Sequence, residues 1–274
     1  MIKFNSPKDF VKEICQEQNI KFETLSYEYI MRLTKGSVVR HVIGSKWDVN
    51  NAAACRIACD KSACYAVLKH SGVPAIPHEL LMHPIKRQGF IGEKGTWLQA
   101  LKFFGNSNSK VVVKPNHGTN GQDVLLCDSV QTLESAVHTV FADSPNAAIS
   151  PFYDIKTEYR VFHVNGTCPL VYGKAANPEN WRHNLSQGAT AFEVADENIL
   201  ATLKTLASRA ATAIGIHFAT IDIVETISGD YLIMEINSGV QARQLLEQLP
   251  YLRPVVKGIY ESAVLNMFKR EAFT

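Results

Sequence analysis

Two carboxylates and an amide recur at alternate positions in residues 218–237, FATIDIVETISGDYLIMEIN. Period-2 alternation runs through 218–223 and again through 231–237, with Ser228-Gly229-Asp230 as turn chemistry between them. The pattern predicts a β-hairpin. With the turn centred on Ser228-Gly229, Ile227 faces Asp230 and Asp222 faces Glu235. Directly opposed Cβ atoms stand about 4.5–5.5 Å apart. Asn237 shares the face of Glu235 because side chains alternate. The other face carries Ile221, Ile223, Leu232, Met234 and Ile236 and is a core face. Like charges opposed across a sheet destabilise it. A hard divalent cation with oxygen ligands is the usual offset, which makes Asp222, Glu235 and Asn237 a candidate metal set. For this stretch alone, a surface hairpin with solvated acids is the alternative.

A second stretch, residues 110–123 (KVVVKPNHGTNGQD), has a buried strand, Val111-Val112-Val113, ending in Lys114-Pro115. A loop with Gly118, Thr119, Asn120 and Gly121 follows. This combination suits phosphate: glycines let backbone N–H groups approach the anion, and lysine supplies a point charge. It matches neither GxxxxGK[ST] nor GxGxxG, and read alone the stretch favours a tight hairpin turn over a phosphate loop. Further on, Glu158 and Arg160 share a strand face, Lys174 lies on a strand over 169–176, and 177–189 (NPENWRHNLSQGA) is a long polar loop of the kind that often carries function.

The elements that position these residues follow from pattern and punctuation. Ser6-Pro7 starts a helix running to Gln18. Strands are expected over 25–33 and 38–43, so 1–50 forms a small N-terminal module. Residues 50–70 read as one long helix closed by Ser71-Gly72, with Asp60-Lys61 in its middle. A strand over 78–81, a loop over 84–96 and helices over 96–104 and 129–141 follow. The chain breaks at Pro151, which cannot donate to a ladder. Helices over 195–214 and 255–269 flank the hairpin and a helical pattern carrying Arg243.

Composition bounds the function classes. A chain of 274 residues can bury a full core. Apolar residues make up 46%, charged residues 20%, and the net charge is +2, which gives no argument for nucleic acid or an acidic membrane. The N-terminus is amphipathic and acid-containing, unlike a signal peptide, and no apolar run reaches a membrane span. Six scattered cysteines read as reduced thiols of a cytoplasmic protein. Cys55 and Cys59 stand at i,i+4 but lack a second ligand pair at zinc spacing.

The succession Asp60-Lys61, Val113-Lys114-Pro115 with its glycine loop, Glu158-Tyr159-Arg160, Lys174, Trp181-Arg182-His183-Asn184-Leu185 with Gly188, Asp222, and Glu235-Ile236-Asn237 resembles the ATP-grasp superfamily. The nearest likeness is to RimK-type α-L-glutamate ligases, with D-alanine–D-alanine ligase and cyanophycin synthetase more distant. It covers residues 50–270. The resemblance implies an α+β fold with two α+β subdomains clamping ATP behind a short N-terminal module, divided as 1–50, 51–150 and 151–274. It implies that Lys61 and Lys114 touch phosphates, Lys114 also near the adenine, with Gly118 and Gly121 in the covering loop. The Pro151 carbonyl and Tyr153 N–H would pair with the adenine edge, and Glu158 would accept from the ribose. Lys174, Arg182 and Arg160 would be the catalytic cations and Asn184 would support the triphosphate. Asp222, Glu235 and Asn237 would hold two Mg²⁺, with Mn²⁺ as a substitute. The implied reaction activates a carboxylate as an acyl phosphate, which an amine attacks to give an amide, ADP and phosphate. Its partners would be small-molecule or peptide carboxylates and amines, with no nucleic acid and no membrane; a homo-oligomer is left open.

Three departures from the family pattern concern substrate and base. Ser150-Pro151 replaces the usual Gln/Glu–Glu/Lys of the adenine hinge. The N-terminal module is short, so substrate identity does not carry over. Asn237-Ser238-Gly239-Val240 lacks the usual proline-glycine. A helix starting near Gly239 would place Gly239 and Arg243 at i,i+4 on one face, aiming the guanidinium at a substrate carboxylate. Arg160 and Arg182 compete for that role, and a surface helix arginine is the alternative. A small-molecule kinase and a catalytically silent nucleotide-binding module are the other function classes.

Overall fold

A computed structural model describes residues 6–86, 95–118, 122–175, 185 and 188–269. Helix α1 (Pro7–Glu17) opens with Pro7 in its first turn and Asp9 accepting from the Ser6 backbone N–H at 2.9 Å. It lies against a four-stranded antiparallel meander, β1 (Lys21–Leu25), β2 (Ile30–Lys35), β3 (Val38–Ile43) and β4 (Lys46–Trp47). The single strand expected over 25–33 is the end of β1, a turn and most of β2. Ser26, Tyr27 and Glu28 all take positive φ there, which no strand can absorb.

The long helix expected over 50–70 is two helices, α2 (Ala52–Cys59) and α3 (Lys61–His70). Asp60 stands between them in extended conformation, and its carboxylate accepts from the Ala63 N–H at 2.9 Å. A short acid binds backbone groups better at a cap than mid-helix, so Asp60 restarts the helix instead of continuing it.

A four-stranded antiparallel sheet follows in the order β5 (Glu79–Met82), β8 (Asn146–Pro151), β6 (Val111–Pro115), β7 (Leu125–Cys127). Helices α4 (Gly95–Asn106) and α5 (Val130–Asp143) bury one face, through Leu81, Val111, Val113 and Ile149. Alternation leaves Val112, Lys114, Ala148 and Ser150 on the other face.

The central sheet has five antiparallel strands in the order β11 (Thr190–Glu193), β10 (Thr167–Ala175), β9 (Ile155–Val164), β12 (Phe218–Thr226), β13 (Tyr231–Asn237). Helix α6 (Glu197–Ile214), which ends on left-handed Gly215, covers one face together with α2 and α3, burying Val161, Ile221, Ile223, Ile233 and Ile236. The other face is apolar at one end, where Phe162, Tyr172 and Phe218 lie under α8 (Arg253–Lys269) and the N-terminal module. It is polar at the other end.

The N-terminal module has no separate core. Phe10, Ile14, Leu33 and Trp47 share one cluster with Phe218, Ile259 and Tyr260. Trp47 meets Phe218 edge-on at 5.0 Å and stacks on Tyr260 at 5.6 Å. The Asn50 carboxamide donates to the Phe218 carbonyl at 2.8 Å and accepts from the N–H groups of His217 and Phe218 at 2.8 and 2.9 Å. The division expected at residue 50 therefore cuts across a shared core. The division at 150 is crossed too, because α2 and α3 pack on the central sheet.

The hairpin register matches expectation at the carboxylates and shifts beyond them. Asp222 pairs with Glu235, but Ile223 pairs with Ile233, so the chain bulges at Met234. Ile233 and Ile236 fill the core face, while Leu232 and Met234 do not. The turn tightens accordingly: the Thr226 N–H donates to the Asp230 carbonyl, and Ile227 does not face Asp230 in a ladder. The bulge coincides with a second partner for β13, since Ile76 N–H donates to the Ile233 carbonyl and Ile233 N–H to the Pro74 carbonyl. Among the described residues, no helix is long and apolar enough to cross a membrane.

Candidate active site

The central sheet's register sets Tyr172, Arg160, Asp222 and Glu235 in one row across β10, β9, β12 and β13. Lys174 and Glu158 pair in the neighbouring row, and Asn237 lies opposite Thr220 on the far side. Side chains in such rows reach one another. The Arg160 guanidinium donates from Nε and Nη2 to the two oxygens of Asp222, both at 2.6 Å. Lys174 Nζ donates to Asp222 Oδ1 at 3.1 Å and to Glu158 Oε1. Asn237 Nδ2 donates to Asp222 Oδ2 at 3.2 Å. The charge of Asp222 is thus offset by cations from the adjacent strand β9 and from β10 beyond it, in bidentate and charge-assisted geometry.

This network is almost dry: Asp222 is 1% exposed and Lys174 2%. Burial pushes the Asp222 carboxyl up, but Arg160 and Lys174 override it and hold it down at about 2. Burial likewise opposes the charge on Lys174, and Asp222 and Glu158 raise it above its ordinary value. Glu158 is pushed up by burial, with Lys174 pulling the other way. Lys174 thus occupies one oxygen of Glu158, Oε1.

The facing wall comes from α3 and the face of the four-stranded sheet opposite α4 and α5. Lys61, at the start of α3, sends Nζ to the Gly118 carbonyl at 3.2 Å and lies 3.8 Å from Glu235 Oε1. Lys114 ends β6 on the inward face; burial first, and then Lys61, lower it to about 8 against the pull of Glu235 and Glu158. Four cations, Lys61, Lys114, Arg160 and Lys174, thus share this region with three carboxylates, Glu158, Asp222 and Glu235. The loop after β6 is fastened to α3: Asn116 accepts from the Lys61 N–H at 3.2 Å through its carbonyl and from the Ser62 N–H at 3.1 Å through its side chain. Pro151 closes β8, and the Phe152 N–H donates to the Lys110 carbonyl at 3.1 Å, which fixes the strand end that leads into Tyr153.

Two residues that the sequence did not single out line this region. His78 is buried, with Nδ1 2.9 Å from the Ile76 carbonyl and Nε2 lacking a partner. Burial lowers its pKa well below the ordinary value, so the imidazole is neutral. It borders the cavity between α3 and β13, with Lys61, Tyr65 and Glu235. Asn116 is buried with Nδ2 unpartnered. A histidine after Pro77 and an asparagine after Pro115 carry no local signal; only the register of β5 and the docking of the loop bring them inward.

Gly239 and Arg243 depart from expectation. The helix after β13, α7 (Arg243–Gln248), starts at Arg243, so the two residues do not share a helical face. The Arg243 side chain is 72% exposed and pairs with Glu247 at 2.9 Å, an ordinary surface i,i+4 pair. Gly239 is packed against Ser45: a Cβ there would come within 2.7 Å of Ser45 Cβ. Glycine there permits the close approach of the turn before β4. Gly121, Arg182 and Asn184 lie outside the described residues.

The donor set fits a hard divalent cation. Among the described residues no three of His, Cys, Asp and Glu form a ready cluster, and both oxygens of Asp222 accept from Arg160, Lys174 or Asn237. The Glu235 side chain is 27% exposed, and Asp222 is buried. Asp222, Glu235 and Asn237 are all oxygen donors, as Mg²⁺ requires.

An antiparallel sheet with a polar end, faced by a smaller sheet carrying an inward lysine, defines the ATP-grasp class of fold. D-alanyl-alanine synthetase A from Vibrio cholerae superimposes with a TM-score of 0.64 at 12% identity, over 94% of this chain and 93% of that one. D-alanine–D-alanine ligase from Bacillus anthracis, in a structure complexed with ATP, gives 0.60 at 16% identity, over 80% and 68%. These likenesses show the fold. The RimK-like ATP-grasp domain matches residues 58–249, and the chain belongs to that family. A probable alpha-L-glutamate ligase from Shewanella halifaxensis is 28% identical over 130 residues, 47% of this chain and 28% of the relative. One from Rhodopirellula baltica is 27% identical over 157 residues, 56% and 37% respectively. The matched stretch thus spans well under half of these curated relatives.

Proposed function

We propose that this protein is an ATP-dependent carboxylate–amine ligase that joins an amino acid, peptide or peptide-like acid to an amine in the cytoplasm. The observation that carries the reading is the set of four cations on two facing walls around Asp222, Glu235 and Asn237. ATP would lie between the central sheet and the sheet that carries Lys114. Lys61 and Lys114 neutralise its phosphates, and Pro151 and Tyr153 border its base. Arg160 and Lys174, already fixed by Asp222 and Glu158, need no reorganisation to stabilise charge as the γ-phosphoryl moves to the substrate carboxylate. That transfer yields ADP and an acyl phosphate. An amine then attacks the acyl carbon, expels phosphate and leaves an amide. Mg²⁺ held by Asp222, Glu235 and Asn237 would supply further neutralisation of phosphate oxygens.

The test is an ADP-release screen with Mg·ATP over amino acids and short peptides, followed by mass spectrometry of responding pairs. Amide with free phosphate is the expected outcome. A stable phosphorylated product would make the protein a kinase, and no carboxylate-dependent ADP release would make it a silent nucleotide-binding module.

A further inference from the structure

Lys46 differs from three of the cations of the site. Lys61, Arg160 and Lys174 each have a carboxylate within ion-pair distance, whereas Lys46 Nζ has two neutral partners, Ser238 Oγ and Cys59 Sγ, each at 2.8 Å. The residue is partly buried. An ammonium has three N–H donors; among the described residues a hydroxyl and a thiol take two of them, which leaves its charge and one donor for an anion. Its position says which anion. Ser238 directly follows Asn237, and Cys59 directly precedes Asp60-Lys61, so Lys46 stands where the ends of β13 and α2 meet.

Lys46 is brought there by an otherwise unexplained glycine. A Cβ on Gly239 would lie 2.7 Å from Ser45 Cβ and 2.9 Å from Ser45 Oγ. Glycine alone lets the turn before β4 seat against the segment after β13, and Lys46 is the next residue. The module that supplies it lies outside the 58–249 family match. Phosphates have Lys61 and Lys114; the anion left unserved in amide ligation is a substrate carboxylate that is not being activated.

We propose that Lys46 binds a free carboxylate of the amino-acid or peptide substrate, the one that is not phosphorylated. The assignment rests on the ligase reading above. It makes the N-terminal module, through one turn, a determinant of substrate choice.

The experiment uses the full chain loaded with Mg²⁺ and β,γ-imido-ATP, titrated calorimetrically with the twenty L-amino acids and their α-amides. Acids that bind are expected to lose about tenfold or more in Lys46→Gln, the scale of one hydrogen bond to a charged group. Their α-amides bind wild type more weakly and lose nothing further, and Lys46→Arg restores part of the acid affinity. Gly239→Ala, which displaces the turn, gives the same acid-selective loss. Equal losses for acid and amide would make Lys46 a structural clip and overturn the proposal. Unchanged affinity in Lys46→Gln, or no amino acid bound by the loaded wild type, would also overturn it. Failure to bind the imido nucleotide at all strikes the ligase reading itself and is seen in the first titration.

Discussion

Replacing Asp222 by asparagine tests whether this acid is more than a metal ligand. The residue is 1% exposed, and its carboxylate accepts from Arg160 twice at 2.6 Å and from Lys174 at 3.1 Å. The substitution keeps the shape and removes the anion that Arg160 and Lys174 share. Deleting one partner of a buried ion-pair network costs about 3–5 kcal/mol. Part of that is visible in the carboxyl itself: its depression from 3.8 to about 2 corresponds to about 2 kcal/mol. At about 2–4 °C per kcal/mol for a domain of this size, Tm should fall by about 10 °C, together with loss of ligase activity. The pH dependence has a definite sign. A depressed acid contributes stability that is fully present above 3.8 and disappears as the pH falls to about 2. Thermal unfolding from pH 7 downward should therefore show a constant gap between wild type and variant that narrows only below 3.8. A Tm within about 1 °C of wild type at pH 7 would refute the network's structural role.

Glu235→Gln should behave oppositely: with its one ion pair among the described residues at 3.8 Å and a side chain 27% exposed, stability should change by less than about 1 kcal/mol, while turnover at limiting Mg²⁺ falls at least about a hundredfold. Lys114, lowered to about 8, should regain its proton beside phosphates; nucleotide affinity should then decline above that pH with proton uptake on binding, and Lys114→Arg should abolish both, as calorimetry in buffers of different ionisation heat would show. Hydrogen exchange in 114–118 should slow when Mg·ATP binds, because that loop is fastened to the first turn of α3; equal exchange with and without nucleotide would count against loop closure.

What was legible in the sequence was local. Alternation fixed the hairpin and placed Asp222 opposite Glu235, and Pro151 marked the end of a strand. The bulge at Met234 was not legible, because its position coincides with contact from the distant segment at Pro74–Ile76. Helical periodicity through 50–70 was real on both sides of Asp60, but the break depends on a cap whose neighbour, the Lys61 N–H, is held by the Asn116 carbonyl. The start of the helix after β13 carries no local signal, because Ala242 has no capping side chain to mark it at Arg243. Lys46 and His78 acquire meaning only from tertiary docking, through Gly239 on Ser45 and through a buried ring left with one free nitrogen.

The central claim is that a substrate carboxylate is activated by phosphoryl transfer before an amine attacks. Isotope transfer measures it directly. The protein is incubated with Mg·ATP, an amine and a pool of amino acids labelled with ¹⁸O in their carboxylates, and the released phosphate is analysed by mass spectrometry. The account predicts one ¹⁸O in phosphate for each amide formed, because the carboxylate oxygen that attacks the γ-phosphorus leaves with it. Unlabelled phosphate accompanying amide formation, or label retained in a stable phosphorylated acid, would contradict it.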